Sequence, residues 1–350
     1  MDSTIKINDS IIGKSTSPYI IAELSGNHNG NINRAMELID AASDAGANAV
    51  KLQTYTADTI TINSNRPEFM IKSGLWAGKN LYELYSEAST PWDWHEHLFK
   101  HAKEKKIDCF SSPFDPSAVD FLDELSSPAF KIASFELVDL HLIRKAASKG
   151  KPLIMSTGVA DFNEISDACD AAKNSGANGY ALMHCISDYP AQPKDMRLST
   201  IKELRNHFKV PIGLSDHTLG STMAVASIAL GACIIEKHIT LKRSDGGPDA
   251  DFSLEPSEFQ ELVKNCKNAH EALSQECDWG PGIEKSNATF RRSLFVVRDI
   301  KAGETFNESN IRSIRPGMGI PPKNLEDIIG KTAKTSLKKG EPLHWEKIIM

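Results

Sequence analysis

The run Pro211–Thr240, PIGLSDHTLGSTMAVASIALGACIIEKHIT, decides the fold. Two short apolar stretches, VPIGLSDH from Val210 and CIIEKHIT from Cys233, are too brief for helices, and the segment between them has the length of one. The unit therefore reads strand, helix, strand. Six earlier runs repeat it: YIIAEL from Tyr19, NAVKLQ from Asn48, IDCFSS from Ile107, AFKIAS from Ala129, PLIMST from Pro152 and GYALMHC from Gly179. Between them lie amphipathic segments such as NRAMELIDAASDAGA, whose Ala35, Leu38, Ile39 and Ala42 recur at helical spacing.

An echo supports the count. DAGANAVK from Asp44, NSGANGYAL from Asn174 and ALGACIIEKH from Ala229 each place Gly-Ala just before a strand, where glycine can take the left-handed conformation that ends a helix. Eight parallel strands within about 240 residues match an α/β protein of the (β/α)8 TIM-barrel class, with an open doubly wound sheet as the alternative. No GxGxxG follows the first strand. The insert from Thr54 to Pro91 is too long for a plain connection and is expected to cover the barrel mouth.

The chain has 350 residues, 40% hydrophobic and 25% charged, which excludes a disordered or low-complexity chain. Its net charge of −6 offers nothing global to attract nucleic acid or an acidic membrane surface, and no apolar run approaches a membrane span. The opening MDSTIKINDS lacks the basic-then-apolar order of a signal peptide, so a cytoplasmic location is expected. The six cysteines occur singly and read as reduced thiols without a catalytic role.

The barrel is expected to fill residues 1–275, a linker 276–288 and a small β-rich module 289–350, where short β-like runs and turns replace the repeat. Twelve Lys and Arg against seven Asp and Glu give the last segment +5, leaving −11 for the rest. Opposite charges favour docking one region on the other, in the same chain or a partner chain.

Polar residues within apolar strands are costly to bury, so their positions are informative. Glu23, Lys51, Gln53, Lys131, Ser134, Ser156, His184, Ser215, His217, Glu236 and His238 all lie at or just past the ends of separate strands, which in a barrel meet at one mouth. His217 and His238 end the last two strands and are the pair suited to a divalent cation, with Glu236 on the same strand face as His238. His184 reads as a packing residue or hydrogen-bond donor, and His28 is ambiguous. Lys51 and Lys131 sit in apolar settings, and a bound anion is preferred over pairing with Glu23 or Glu236, with Ser134, Ser156 and Ser215 as added donors. SGNHNG, after Glu23, reads as an exposed catalytic loop. Tyr189 and Asp249 occupy loops suited to polyol hydroxyls, and Arg315 stands beside a Gly- and Pro-fixed loop.

IAELSGNHNG from Ile21, AVKLQTYTADTIT from Ala49, FSSPFD from Phe110, FKIAS from Phe130, MSTG from Met155, GLSDHT, EKHIT, GGPDADFS from Gly246, RRSLFVVRDIKAGE from Arg291 and RPGMGI from Arg315 together resemble the sialic acid synthase family. The resemblance spans nearly the whole chain and is closest to the pseudaminic acid synthase branch. Ser187, in SDYP, replaces the Asn common in sialic acid synthases.

The resemblance implies a barrel followed by an antifreeze-like (SAF) domain, in a domain-swapped homodimer. It also implies condensation of phosphoenolpyruvate with an open-chain amino sugar and water, releasing phosphate, with Mn2+ or Mg2+ as cofactor. By matching position, His217 and His238 would bind the metal, and Lys51, Lys131, Ser134, Ser156 and Ser215 the phosphate and carboxylate, with Ser187 near the phosphate and sugar. Glu23 would orient water or move a proton, and Glu236 and Gln53 would organise the site. Tyr189, Asp249 and a partner-derived Arg315 would contact the sugar. The branch implies 2,4-diacetamido-2,4,6-trideoxy-L-altrose as acceptor; N-acetylneuraminic or legionaminic acid synthesis, and a metal-dependent aldolase, are the alternatives.

Overall fold

Eight short strands bury side chains on both faces, which requires a core inside the sheet and another between sheet and helices. The computed structural model describes residues 3–72, 74–274 and 282–349, and the chain divides into two compact units, Met1–Gln275 and Glu276–Met350.

The first unit opens with an antiparallel hairpin, β1 (Ile5–Ile7) and β2 (Ser10–Ile12), that the sequence reading did not anticipate. The barrel strands follow: β3 (Tyr19–Glu23), β4 (Ala49–Thr54), β5 (Asp108–Pro113), β6 (Phe130–Ile132), β7 (Leu153–Ser156), β8 (Tyr180–Cys185), β9 (Ile212–Asp216) and β10 (Ile234–His238). Each corresponds to one of the eight expected runs. All neighbours are parallel, and β10 closes on β3 with His238 beside Glu23.

Alternation along the strands sorts the two cores. Ile20, Val50, Phe130, Leu153, Leu182, Leu214 and Ile235 face outward into a layer of helices, including Ile32–Asp44, whose buried residues are the four expected ones, and Pro256–Ser274. Tyr19, Ile21, Ala49, Phe110, Ile154, Met183 and Ile234 face the lumen, and Ile5, Ile7 and Ile12 of the hairpin pack into the same cluster, so the hairpin plugs the floor. Tyr19 Oη donates to Asp108 at 2.6 Å and Asn8 to its other oxygen at 2.7 Å, which ties the plug to β5. Gly46, Gly176 and Gly231, the echoed glycines, all have positive φ, at 84°, 98° and 97°.

The insert contains helices Ala57–Ile60 and Leu81–Ala88 and reaches the mouth through Trp76, as expected of a cover. Trp76 donates its indole N–H to the Pro248 carbonyl at 2.8 Å and packs 5.5 Å from the Tyr189 ring.

The second unit has less regular strand than anticipated: β11 (Ser293–Val296) pairs with β12 (Ile311–Ile314), and β13 (Thr332–Ala333) with β14 (Ile348–Ile349). Its core is Leu294, Val296, Ile300, Phe306, Ile311, Ile320, Ile328, Leu337 and Leu343. Of the expected linker, residues 276–281 lie outside the described residues, and 3-10 turns occupy Gly282–Phe290. Among the described residues, no helix is long and apolar enough to cross a membrane.

Candidate active site

Along every barrel strand the lumen-facing series begins apolar at the floor and becomes polar at the C-terminal end. Ile21 gives way to Glu23, Ala49 to Lys51 and Gln53, Phe110 to Ser112, and Ile154 to Ser156. Likewise Met183 gives way to Cys185 on β8, and Ile234 to Glu236 and His238 on β10. One buried polar layer therefore rests on the apolar floor, at the end of the barrel where such folds carry chemistry.

Charges within this layer pair internally. Lys51 Nζ lies 2.6 Å from Glu23 Oε2, 3.9 Å from Glu236 Oε2 and 3.2 Å from Ser112 Oγ. Lys131 Nζ donates to Ser156 Oγ at 2.7 Å and lies 3.6 Å from Glu236 Oε1, which also accepts from Ser215 at 3.0 Å. Gln53 donates to Glu23 Oε1 at 2.8 Å. Both lysines have a glutamate, the internal pairing weighed as the alternative to a bound anion: Glu23 reaches Lys51 from the neighbouring strand, and Glu236 reaches Lys131 across the lumen.

Desolvation shapes the acidities. Burial pushes the Glu23 carboxyl up to about 7 against the pull of Lys51. Burial also opposes the Lys51 charge, but Glu23 and Glu236 outweigh it and hold the ammonium above the ordinary lysine value. For Lys131 burial wins, and its pKa is lowered. Glu236 goes the other way from Glu23: burial raises it, while Lys131 and Lys51 together bring it below the usual carboxylate value.

Across the lumen, the His217 and His238 rings stand 5.4 Å apart, edge to face. His217 Nδ1 faces the Ile186 carbonyl at 2.9 Å and must donate to it, which leaves the other ring nitrogen free for a ligand. His238 Nδ1 lies 4.0 Å from Asp249 Oδ2 and has no hydrogen-bond partner. Burial, with nearby cations and His217, holds His238 neutral, far below the ordinary histidine range. At His217, burial lowers the pKa but Cys185 outweighs it and raises it. The Tyr189 ring lies tilted over His217 at 4.3 Å between centroids, and Phe252 closes on His238 at 4.8 Å.

Other expected residues fall around this core. Ser134 and Ser187 meet over Gly158, whose missing side chain lets their hydroxyls approach: a Cβ there would fall 2.6 Å from Ser134 Oγ and closer still to Ser187 Oγ. Asp249 is partly buried and accepts from Ser25 Oγ, so it leans on the His238 side of the mouth rather than standing open for hydroxyls. His184 donates to the Met196 carbonyl at 2.5 Å, in line with its reading as a hydrogen-bond donor. His28 accepts from the Gly30 amide and sits edge-on to Trp94. The SGNHNG turn is not exposed through its first four residues: Asn27 donates to Ile239 O and Ser253 Oγ, each at 2.8 Å, drawing Ser25 to His28 beneath the loop after β10. Arg315 is exposed in the second unit, on the loop where Ser293 Oγ donates to Pro316 O and accepts from Gly319 N.

Four neighbours of the site were not singled out from the sequence: Ser112, Cys185, Trp76 and Glu136. Ser112 shares the strand-end position of the serines that were selected, and Cys185 is in phase with Met183 on the lumen face. Burial raises the Cys185 thiol, but His217, Ser134 and Lys131 outweigh it and bring it to about 7. Burial raises Glu136 to about 7 as well. Trp76 carried no local signal, since its contacts are more than a hundred residues away. Five cysteines are described, all free and buried, as expected.

Among the described residues, no group of three or more His, Cys, Asp and Glu forms a ready cage for a cation. The donor chemistry nevertheless suits one: two imidazoles face each other, and Glu236 Oε2 and His238 Nδ1 are buried without hydrogen-bond partners.

Comparison with known proteins agrees with this architecture. The NeuB family model matches residues 38–278, and the SAF domain model residues 291–349. A pseudaminic acid synthase of Campylobacter jejuni is 43% identical over 93% of this chain and 95% of its own. One of Helicobacter pylori is 42% identical over 95% of this chain and 98% of its own. The crystal structure of an N-acetylneuraminic acid synthetase from Leptospira borgpetersenii, in complex with citrate, superposes with a TM-score of 0.74 at 31% identity, covering 82% of this chain and 95% of that one. With a closed eight-stranded barrel, a polar mouth and both domain models matched in order, the chain belongs to the NeuB family and carries a C-terminal SAF domain.

Proposed function

We propose that the chain is a pseudaminic acid synthase, condensing phosphoenolpyruvate with 2,4-diacetamido-2,4,6-trideoxy-L-altrose and water to give pseudaminic acid and phosphate. The observation that carries this reading is the buried layer in which Lys51 and Lys131 stand with Glu23 and Glu236, beside the His217 and His238 pair. The greater identity to the two pseudaminic acid synthases than to the solved neuraminic acid synthetase supports the acceptor.

In this reading Lys51, Lys131, Ser134, Ser156, Ser187 and Ser215 receive the phosphate and carboxylate of phosphoenolpyruvate through charge-assisted bonds made in addition to the internal ion pairs. The lysines then offset charge as the phosphate leaves. Glu23, held by Gln53 and Lys51 and poised at about 7, exists in both protonation states near neutrality, so it can accept a proton from water and return it. Glu236 fixes Lys131 and Ser215. Tyr189 and an Arg315 supplied by a partner subunit contact the sugar, which makes a domain-swapped homodimer part of the proposal, with the cytoplasm as its compartment; Asp249, turned to Ser25 and His238, lines the mouth beside them.

His217 and His238 would hold a divalent cation, Mn2+ or Mg2+, whose contribution when bound is Lewis-acid polarisation of the acceptor aldehyde. The chain's own part is to present two imidazoles and to exclude water with Tyr189 and Phe252.

Phosphate release tests the reaction class. One phosphate per product from phosphoenolpyruvate, and no product from pyruvate, is expected; equal product from pyruvate would identify an aldolase instead.

A further inference from the structure

Two charged residues of the last barrel strands face the helices instead of the lumen. Lys237 and Asp216 are register partners on β10 and β9, and both side chains are 0% exposed. Lys237 Nζ donates to Asp216 Oδ2 at 2.9 Å and to the Thr218 carbonyl. Asp216 Oδ1 accepts from the Thr218 backbone N–H at 2.9 Å and from its hydroxyl at 2.7 Å. The outward layer around them is otherwise apolar, with Leu214 and Ile235 as immediate alternates.

A buried ion pair of this kind adds little net stability compared with apolar residues of the same volume, because desolvation offsets the attraction. Its position accounts for it better. Asp216 directly precedes His217, Lys237 directly precedes His238, and Thr218 directly follows His217. The bridge thus joins the two strands at their last shared register pair and fastens the peptide beyond His217 to β10. His217 has its own tether at Ile186, whereas His238 Nδ1 has no hydrogen-bond partner, so the direction of that ring depends on the backbone that carries it.

We propose that Lys237, Asp216 and Thr218 are positioning residues: from the back of the sheet they fix the twist and stagger of β9 on β10, and so set how the two imidazoles face each other in the lumen. This rests on the reading of His217 and His238 as ligands of a divalent cation. Ligand placement from behind is what binding needs here, since the imidazoles must keep their separation without direct bonds between them.

The test is Mn2+ binding, titrated by electron paramagnetic resonance on the full chain without substrates, for the unaltered protein, for Asp216→Asn with Lys237→Met, and for Thr218→Val. The paired substitution removes both charges together and leaves no lone buried ion, so it is expected to fold, with a melting temperature close to the parent's, and to bind Mn2+ at least about tenfold more weakly. Thr218→Val removes one hydroxyl contact and is expected to weaken binding about threefold, which keeps the test decisive should the paired variant not fold. A purely structural role predicts lowered melting temperatures with unchanged affinity in the folded variants, and that result overturns the positioning role. Absence of Mn2+ binding by the unaltered chain contradicts the cation reading itself, and the positioning role falls with it.

Discussion

Lys51 and Glu23 lie 2.6 Å apart with side chains only 5% and 1% exposed, register partners on β4 and β3. A pair this buried stays ionised only while its surroundings compensate, and here Gln53 and Ser112 each satisfy one partner. The contact links the lysine proposed to hold substrate to the carboxyl proposed to move a proton.

Glu23→Gln tests that link. The amide keeps the shape and can still meet Gln53, so the fold should survive, but the proton acceptor is gone. We expect kcat to fall by at least about 100-fold, with KM for phosphoenolpyruvate changed much less. A variant retaining most of its kcat would remove Glu23 from the proton path.

Gly158 should tolerate no methyl group without cost. In Gly158→Ala the new carbon falls 2.6 Å from Ser134 Oγ and displaces Ser187 Oγ, two of the proposed anion donors. Steady-state kinetics should show KM for phosphoenolpyruvate raised by about tenfold in a protein that melts near the parent temperature. An unchanged KM would mean these hydroxyls do not hold the anion.

Trp76 ties the β4 to β5 insert to the mouth through Pro248 and Tyr189. Trp76→Ala loses a hydrogen bond and an aromatic contact, together worth about tenfold in the KM of the sugar acceptor, while KM for phosphoenolpyruvate stays near the parent value. Equal rises in both would point to general loosening of the barrel rather than to acceptor binding.

Acid should destabilise the barrel through two neutral histidines. His95 donates Nδ1–H to the Pro91 carbonyl at 3.2 Å and accepts at Nε2 from Thr54 Oγ1 at 2.8 Å, which itself meets Ser111 Oγ at 2.6 Å. Burial lowers His95 to about 4, and burial together with His95 lowers His28 to about 4, from an ordinary value of 6.5. The unfolded chain therefore binds more protons than the folded one between those values, so stability is full above about 6.5 and is lost as pH falls toward about 4. Glu23 and Glu136, raised to about 7, act in the opposite direction over this interval, so the readout is the difference in slope: from pH 7 to 5 the melting temperature of His95→Gln should lose less, or gain more, than the parent's. Equal slopes in the two proteins would contradict neutral burial of His95.

How much was legible in the sequence follows from what each feature depends on. The eight barrel strands were readable because each buries both faces and so forms a short, nearly continuous apolar run, and the polar strand ends stood out against those runs. The hairpin of β1 and β2 was missed because its strands have only three residues each, too few for alternation to register. Lys237 and Asp216 were passed over because inward and outward charges alternate within SDH and EKH, and only the register shows which face the helices. Which carboxylate meets which lysine was open for a related reason: Glu23 reaches Lys51 from the neighbouring strand and Glu236 reaches Lys131 across the lumen, contacts set by register and barrel closure rather than by local spacing.

The central claim is the choice of acceptor. The most direct measurement is mass spectrometry of the products formed from phosphoenolpyruvate and an equimolar mixture of 2,4-diacetamido-2,4,6-trideoxy-L-altrose, the legionaminic acid precursor and N-acetylmannosamine. The altrose derivative is expected to be consumed first and to give the dominant nonulosonic acid, with matching phosphate release. Equal or preferred use of N-acetylmannosamine or the legionaminic precursor would contradict it.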